Sequence, residues 1–296
     1  MLIPIRQWFA AIFASLLMIF GPQIQAADLA EIQSKGEIRH LGIRYANFVT
    51  PRGDGFEVEL IQGFANHLGV KYKLVLTDFY SVIRDLLGKN VVRNESGVSL
   101  VGDFPVRGDI IATGFTVLPW RQEVLLYSEP TFPSQVLLIA PVASKLKAVK
   151  ETGNLDADIV QTKALIGKNR LLVMEGTCLD PGNYGLKGVG LDLKAYTKNT
   201  NLSEMVPALL NQEADLTLLD VPDAIHDLKK WNGAIKVLGP ISANQDLAAA
   251  FPKNAPHLRA AFNKYLAKIR ADGTYDKLVD KYFPGIRAYF PAFFAQ

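Results

Sequence analysis

The sequence predicts an α/β protein of two lobes, each a mainly parallel sheet flanked by helices. Three observations predict it. Strand-like and helix-like stretches alternate as β-α-β-α-β from Ile38 to Thr113, the pattern of a sheet with helices on its faces. A second alternation restarts after an apolar strand at Val136–Ala140 and runs to Leu238. The chain has 296 residues, and the part beyond residue 26 exceeds the usual size of one compact core.

Met1 to Gln7 carries one cation, Arg6, and is followed by an apolar run from Trp8 to Phe20, the pair Gly21-Pro22 and the small-residue site Ile24-Gln25-Ala26. That layout predicts a signal peptide, 1–26, cleaved after Ala26, and therefore a periplasmic protein. The other reading, an uncleaved anchor, fits less well, because the run falls short of the roughly 20 residues of a membrane span. No cysteine follows the site for lipid attachment. Beyond residue 26 the chain carries 31 Lys and Arg against 29 Asp and Glu, a formal charge of +2 that gives no support for nucleic-acid binding. Cys178 is the single cysteine, so no internal disulfide can form and stability must come from packing.

Along the first lobe, Ile38–Gly42 reads as a strand, Phe56–Leu68 as a helix stopped by Gly69, and Val70–Leu76 as a strand. Val82–Leu87 reads as a helix and Ile110–Thr113 as a buried strand. Between them Asn90–Arg107 is too long for a compact connection, and with the alternating piece Gly97–Val101 it predicts an inserted hairpin. In the second lobe the text restarts at Ala164–Ile166 and Leu171–Met174, with a helix expected after Gly176 and a further piece at Leu193–Tyr196. Asn201 and Glu204 form a capping-box-like start to a helix at Met205–Leu210. A strand at Ala214–Leu219 and a helix at Asp223–Trp231 follow, and Ile235–Leu238 leads through Gly239-Pro240 to Leu247–Phe251. Two helices, His257–Ala271 and Tyr275–Tyr282, are separated by Asp272-Gly273-Thr274, a C-cap glycine followed by an N-cap threonine.

Several stretches carry a resemblance. They are Gly55-Phe56-Glu57-Val58-Glu59-Leu60, then Gly108-Asp109-Ile110-Ile111-Ala112-Thr113-Gly114-Phe115-Thr116 with Arg121 beyond, and Ile269-Arg270-Ala271-Asp272-Gly273-Thr274-Tyr275-Asp276-Lys277-Leu278 near the end. In these the chain resembles the family 3 bacterial extracellular solute-binding proteins, the polar amino-acid-binding class that feeds ABC importers. The resemblance implies a type II periplasmic binding fold. Lobe 1 is then discontinuous, 27–134 and 244–296, lobe 2 is 135–243, and hinge strands cross near Ser134 and Asn244. It also implies a small-molecule ligand, an amino acid or small carboxylate, an ABC permease of the inner membrane as partner, a monomer, and no cofactor.

Residue by residue, the resemblance implies that Arg121 holds the ligand's α-carboxylate, helped by Gly114 and Thr116, with Thr177 as the contact from the second lobe. A guanidinium can grip a carboxylate through two parallel hydrogen bonds, and Pro119 suits the first position of a helix carrying Arg121. Asp220 matches the aspartate that takes the ligand's ammonium group, but it can equally cap the following helix. Tyr45 matches the stacking aromatic and Phe115 is a second wall, with ordinary core packing as the plain alternative. Cys178 stands where the family usually has Ser or Thr, and a pocket wall fits it better than a reactive thiol. Arg44 before Tyr45 and Trp120 before Arg121 depart from the family pattern.

Two rival functions stand beside capture and delivery. A dehydratase-type enzyme on the same scaffold needs a positioned acid or base, for which Glu175 is the one candidate. His40, His67, His226 and His257 show no spacing that makes a metal set or a triad, so no catalytic or metal residue is assigned. A sensory or regulatory module is the other rival; with only Pro284–Gln296 after Phe283, it is expected to act through a partner.

Overall fold

The computed structural model describes residues 27–94 and 97–295, so the leader and cleavage site expected at Met1–Ala26 lie outside the described residues. Helix α1 (Leu29–Lys35) starts where the Asp28 carboxylate accepts the Leu29 N–H at 2.8 Å, and it ends on left-handed Gly36. The first sheet and its helices follow as β1 (Glu37–Gly42), α2 (Phe56–Leu68), β2 (Lys71–Leu76) and α3 (Val82–Leu87). The insertion forms the antiparallel hairpin β3 (Asn90–Asn94) and β4 (Gly97–Val101), as its alternation predicts. Strand β5 (Ile110–Ile111), the short helix α4 (Pro119–Gln122) and β6 (Leu125–Tyr127) come next.

The chain then runs through β7 (Phe132–Ser134) into the second sheet at β8 (Val136–Pro141). There it forms α5 (Leu155–Ile166), β9 (Leu171–Val173), β10 (Leu193–Ala195), α6 (Met205–Leu210), β11 (Leu216–Asp220), α7 (Val221–Lys230) and β12 (Ile235–Pro240). It returns through β13 (Gln245–Leu247) to β14 (Ala250–Pro252) and finishes with α8 (Pro256–Ala271) and α9 (Thr274–Tyr282).

The two sheets share one plan. Their orders are β2-β1-β5-β14-β6 and β10-β9-β11-β8-β12, and in each the fourth strand runs against the other four. That reversed strand is the one reached directly from a crossing, β14 after β13 and β8 after β7. The crossing strands pair with each other antiparallel, Gln245 opposite Ser134. Both passages between the sheets are therefore one hydrogen-bonded ribbon, a geometry that bends without either sheet losing a strand.

Two local expectations change. The helix expected after Gly176 does not form; the segment turns instead and reaches only a 3-10 helix at Pro181–Tyr184. The Asp180 carboxylate accounts for this, because it accepts both the Gly176 N–H at 2.9 Å and the Gly182 N–H at 2.8 Å and so pins the chain into a turn. Helix α7 starts at Val221, before the expected Asp223, because Asp220 caps it, accepting the Asp223 N–H at 3.1 Å.

The first lobe is tied together by aromatic rings from distant parts of the chain. Phe48, Phe132 and Phe283 are all at most 2% exposed, with centroids 5.3, 4.9 and 4.6 Å apart in pairs. Each such pair adds about 0.5–1.5 kcal/mol beyond its buried area. Gly55 lets α2 approach them: at φ 146° it places its Cα where an added Cβ would meet the Phe48 carbonyl oxygen at 2.2 Å.

Glu57, in the first turn of α2, is fully buried and, among the described residues, has no ion pair. Its carboxylate accepts the Gly114 N–H at 2.5 Å and the Thr131 hydroxyl at 3.0 Å. Burial pushes its pKa up to about 7 despite those two donors. An acid raised in the folded state holds its proton after the unfolded chain has released it, so its contribution to stability falls as pH rises from about 4.5 to about 7. Glu57→Gln keeps the Gly114 bond and removes the titration. Measured by urea unfolding, wild type is expected to lose stability relative to this variant across that window, by no more than about 3 kcal/mol. A difference that does not change with pH would show that Glu57 stays ionised.

Candidate functional site

Helix α4 begins with Leu118 in extended conformation and Pro119 at its first position, a start that aims Arg121 inward. Arg121 is 1% exposed. Its Nη1 donates to the Thr116 carbonyl at 3.0 Å, which also accepts the Tyr127 hydroxyl at 3.2 Å, while Nε has no partner. The guanidinium lies 4.1 Å from the Phe115 ring centroid and 5.2 Å from that of Trp120. Among the described residues no carboxylate is within ion-pair distance of it. Desolvation lowers its pKa, as expected for a cation held in a dry site.

The facing wall comes from the second lobe. The Cys178 thiol lies 3.9 Å from Asp220 Oδ2, and the Tyr184 hydroxyl donates to the Cys178 carbonyl. Burial raises the thiol pKa, the Asp220 carboxylate adds to this, and Arg121 pulls the other way. Cys178 therefore lies between the arginine and the aspartate, as a neutral wall and not a thiolate. Burial also raises Asp220, to about 6, opposed by the Tyr45 hydroxyl, the Asp223 N–H and the thiol. Deeper on the same helix, Asp223 Oδ1 and both oxygens of Asp227 are buried without partners, and burial raises both carboxyls.

The structure thus brings Tyr45, Phe115, Arg121, Cys178 and Asp220 together. It uses three other candidates differently. The Gly114 N–H is committed to Glu57, and the glycine itself is needed because at φ 64° an added Cβ would stand 2.6 Å from the Phe48 ring. Thr116 contributes its carbonyl to Arg121. The Thr177 hydroxyl turns into its own loop, donating to Met174 O at 2.7 Å and accepting the Leu179 N–H at 3.0 Å. Arg44 is exposed. Glu175 pairs with Lys187 at 2.8 Å, both about half exposed.

Sequence reasoning missed Phe79, whose ring meets Tyr45 edge-on at 5.6 Å, and Tyr184. The signal for Phe79 was its place just after β2, in the crevice at the carboxyl ends of parallel strands where open α/β sheets bind ligands. Beside it opens a cavity of about 310 Å³, lined by Phe79, Tyr80, Arg84, Arg93, Trp120 and Gly176.

The family model for bacterial extracellular solute-binding proteins, family 3, matches residues 106–285. The chain belongs to that family. The membrane-bound lytic murein transglycosylase F of Desulfosudis oleivorans is 25% identical over 233 residues, 78% of this chain; the chain spans only 44% of that protein's length. The lysine/arginine/ornithine-binding periplasmic protein of Escherichia coli is 24% identical over 241 residues, covering 78% of this chain and 80% of that one. Among solved structures, a mutant of ArgBP from T. maritima superimposes with a TM-score of 0.66 at 24% identity, covering 86% of this chain and 98% of the other. An ancestral amino acid-binding protein, a precursor of cyclohexadienyl dehydratase, gives 0.64 at 23%, covering 86% and 99%. The fold of this family 3 member is that of the two-lobed type II periplasmic binding proteins.

A desolvated cation without a counter-ion costs stability. Arg121→Met, of similar reach and no charge, is expected to leave the ligand-free protein at least as stable as wild type in urea. A loss of more than about 2 kcal/mol would mean that the contacts of Arg121 with the Thr116 carbonyl and the Phe115 and Trp120 rings outweigh its desolvation.

Proposed function

We propose that this protein is a periplasmic solute-binding protein that closes its two lobes on a small amino acid and delivers it to an ABC importer. The observation that carries the reading is the buried, unpaired Arg121 guanidinium, walled by Phe115 and Trp120 and faced by Cys178 of the other lobe. Such a group calls for an anion able to take two donors at once, which a carboxylate does. Across the cleft Asp220 and Asp223 are buried with no cation paired to them among the described residues, so the same ligand must carry positive charge as well. Carboxylate and ammonium together describe an amino acid better than a dicarboxylate. The binding named for the Escherichia coli relative, to lysine, arginine and ornithine, supports that class.

Hinge closure follows from where the groups lie. Arg121 belongs to the segment before β7 and Asp220 to the segment between β7 and β13, so a ligand bridging them favours the closed arrangement selectively. Micromolar capture needs about 8 kcal/mol, which three or four charge-assisted hydrogen bonds at about 1.5–3 kcal/mol each can supply. A regulatory module is the second reading, on the observation that the chain matches less than half of a murein transglycosylase.

The test is a thermal-shift screen of the protein against the common amino acids and small carboxylates. At about 100 times Kd a true ligand adds about 2.7 kcal/mol of stability, visible as a shift of several degrees. The expected outcome is stabilisation by one or a few amino acids, abolished in Arg121→Met and absent for dicarboxylates without an amine. Stabilisation by dicarboxylates alone would overturn the amino-acid reading.

A further inference from the structure

The insertion carries one residue that touches both walls of the cleft. Arg93, on β3, donates from Nη2 to Asp180 Oδ2 at 3.0 Å, and its guanidinium lies 4.6 Å from the Trp120 ring centroid. Hairpin and Trp120 precede β7, whereas Asp180 lies between β7 and β13. Among the described residues this is the one ion pair that joins the two.

Both partners are placed to matter. Asp180 is 2% exposed and its oxygens also take the Gly176 and Gly182 N–H groups, so it is the pin of the turn that presents Cys178. Burial would raise its pKa, but those two N–H groups and Arg93 outweigh it and hold the carboxyl low, so it is charged at neutral pH. On the other side the Trp120 ring is within cation–π distance of both Arg93 and Arg121, and Arg93 therefore steadies the ring that walls the anion site. The Tyr80 ring, over Gly176 with 3.1 Å to an added Cβ, closes the same seam.

We infer that Arg93 is a cross-cleft clasp: a positioning residue that touches no ligand, holds the lobes together through Asp180, and sets how long a captured ligand stays. The pair can form only with the lobes closed, so it shifts the open–closed equilibrium before any ligand arrives and adds to closure afterwards. Arg93 is 38% exposed, so solvent screening holds its effect to no more than about fivefold in the closed-to-open ratio. The ligand half of this inference rests on the capture reading above; the closure half does not.

The experiment therefore measures closure first, without ligand, by X-ray scattering and an inter-lobe fluorescence distance on wild type, Arg93→Gln and Arg93→Lys. The expected result is a closed-to-open ratio lowered by up to about fivefold in Arg93→Gln, largely restored in Arg93→Lys, and lowered in wild type by about 0.5 M salt. The urea midpoint should stay near wild type, since Arg93 is surface-borne. The amino acid that shifts the melting point should then leave Arg93→Gln up to about fivefold faster, with little change in its association rate. Ligand-free closure that is equal in wild type and Arg93→Gln and insensitive to salt would overturn the clasp. Should no amino acid bind wild type, the capture reading falls and the closure measurement alone still decides the clasp.

Discussion

A guanidinium removed from water with no counter-ion among the described residues is the constraint on which the arrangement of this molecule turns. Arg121 could lower its energy by swinging to solvent, yet α4 starts on Pro119 and aims it inward, and Phe115 and Trp120 close over it. The Thr116 carbonyl satisfies Nη1 and leaves Nε without a partner. The Thr116 segment is in turn fixed from below, because Glu57 holds the neighbouring Gly114 N–H and ties it to Thr131 at the foot of the crossing strand β7. A buried acid, a left-handed glycine and a hinge strand thus support one cation from behind. On the capture reading proposed above, a ligand would relieve that unfavourable group only when both lobes are present.

Asp220 shows how one residue meets two demands. As the cap of α7 it accepts the Asp223 N–H through Oδ1, and through its other oxygen it faces the Cys178 thiol. The capping role is the one observed: a helix N-terminus supplies the donor that keeps a buried carboxylate in place, and its other oxygen is left facing Cys178. Cys178 between Arg121 and Asp220 stays neutral, which keeps it from cancelling either charge.

What was legible in the sequence follows how local its cause is. Phe56–Leu68 could be read because an apolar stripe recurs at helical spacing between Gly55 and Gly69. Helix α5 could not. It buries Asp158, Thr162 and Ile166 while Leu155 and Val160 face water, so no stripe exists, and its only local sign is the Asn154 cap bonded to the Ala157 N–H. The turn after Gly176 was misread for a related reason. A glycine after a strand commonly opens a helix, and the carboxylate that prevents it, Asp180, looks like any loop aspartate until its two N–H partners are seen. Arg121, Asp220 and Tyr45 were found through a motif. Phe79 and Arg93 depend on contacts between distant segments, which no window along the chain contains.

The charge balance of the cleft carries the argument one step further. Among the described residues Arg121 is the one buried Lys or Arg, while Asp220 and Asp223 lie within electrostatic reach of Tyr45, with Asp227 a turn deeper on α7. Burial raises all three carboxyls. Of the two departures from the family pattern, Arg44 is exposed and Trp120 is a neutral ring close to both Arg93 and Arg121, so neither adds positive charge to the cleft. Asp220 and Asp223 remain buried without a paired cation among the described residues, and it is these two carboxyls that the ammonium group of the proposed amino-acid ligand would answer.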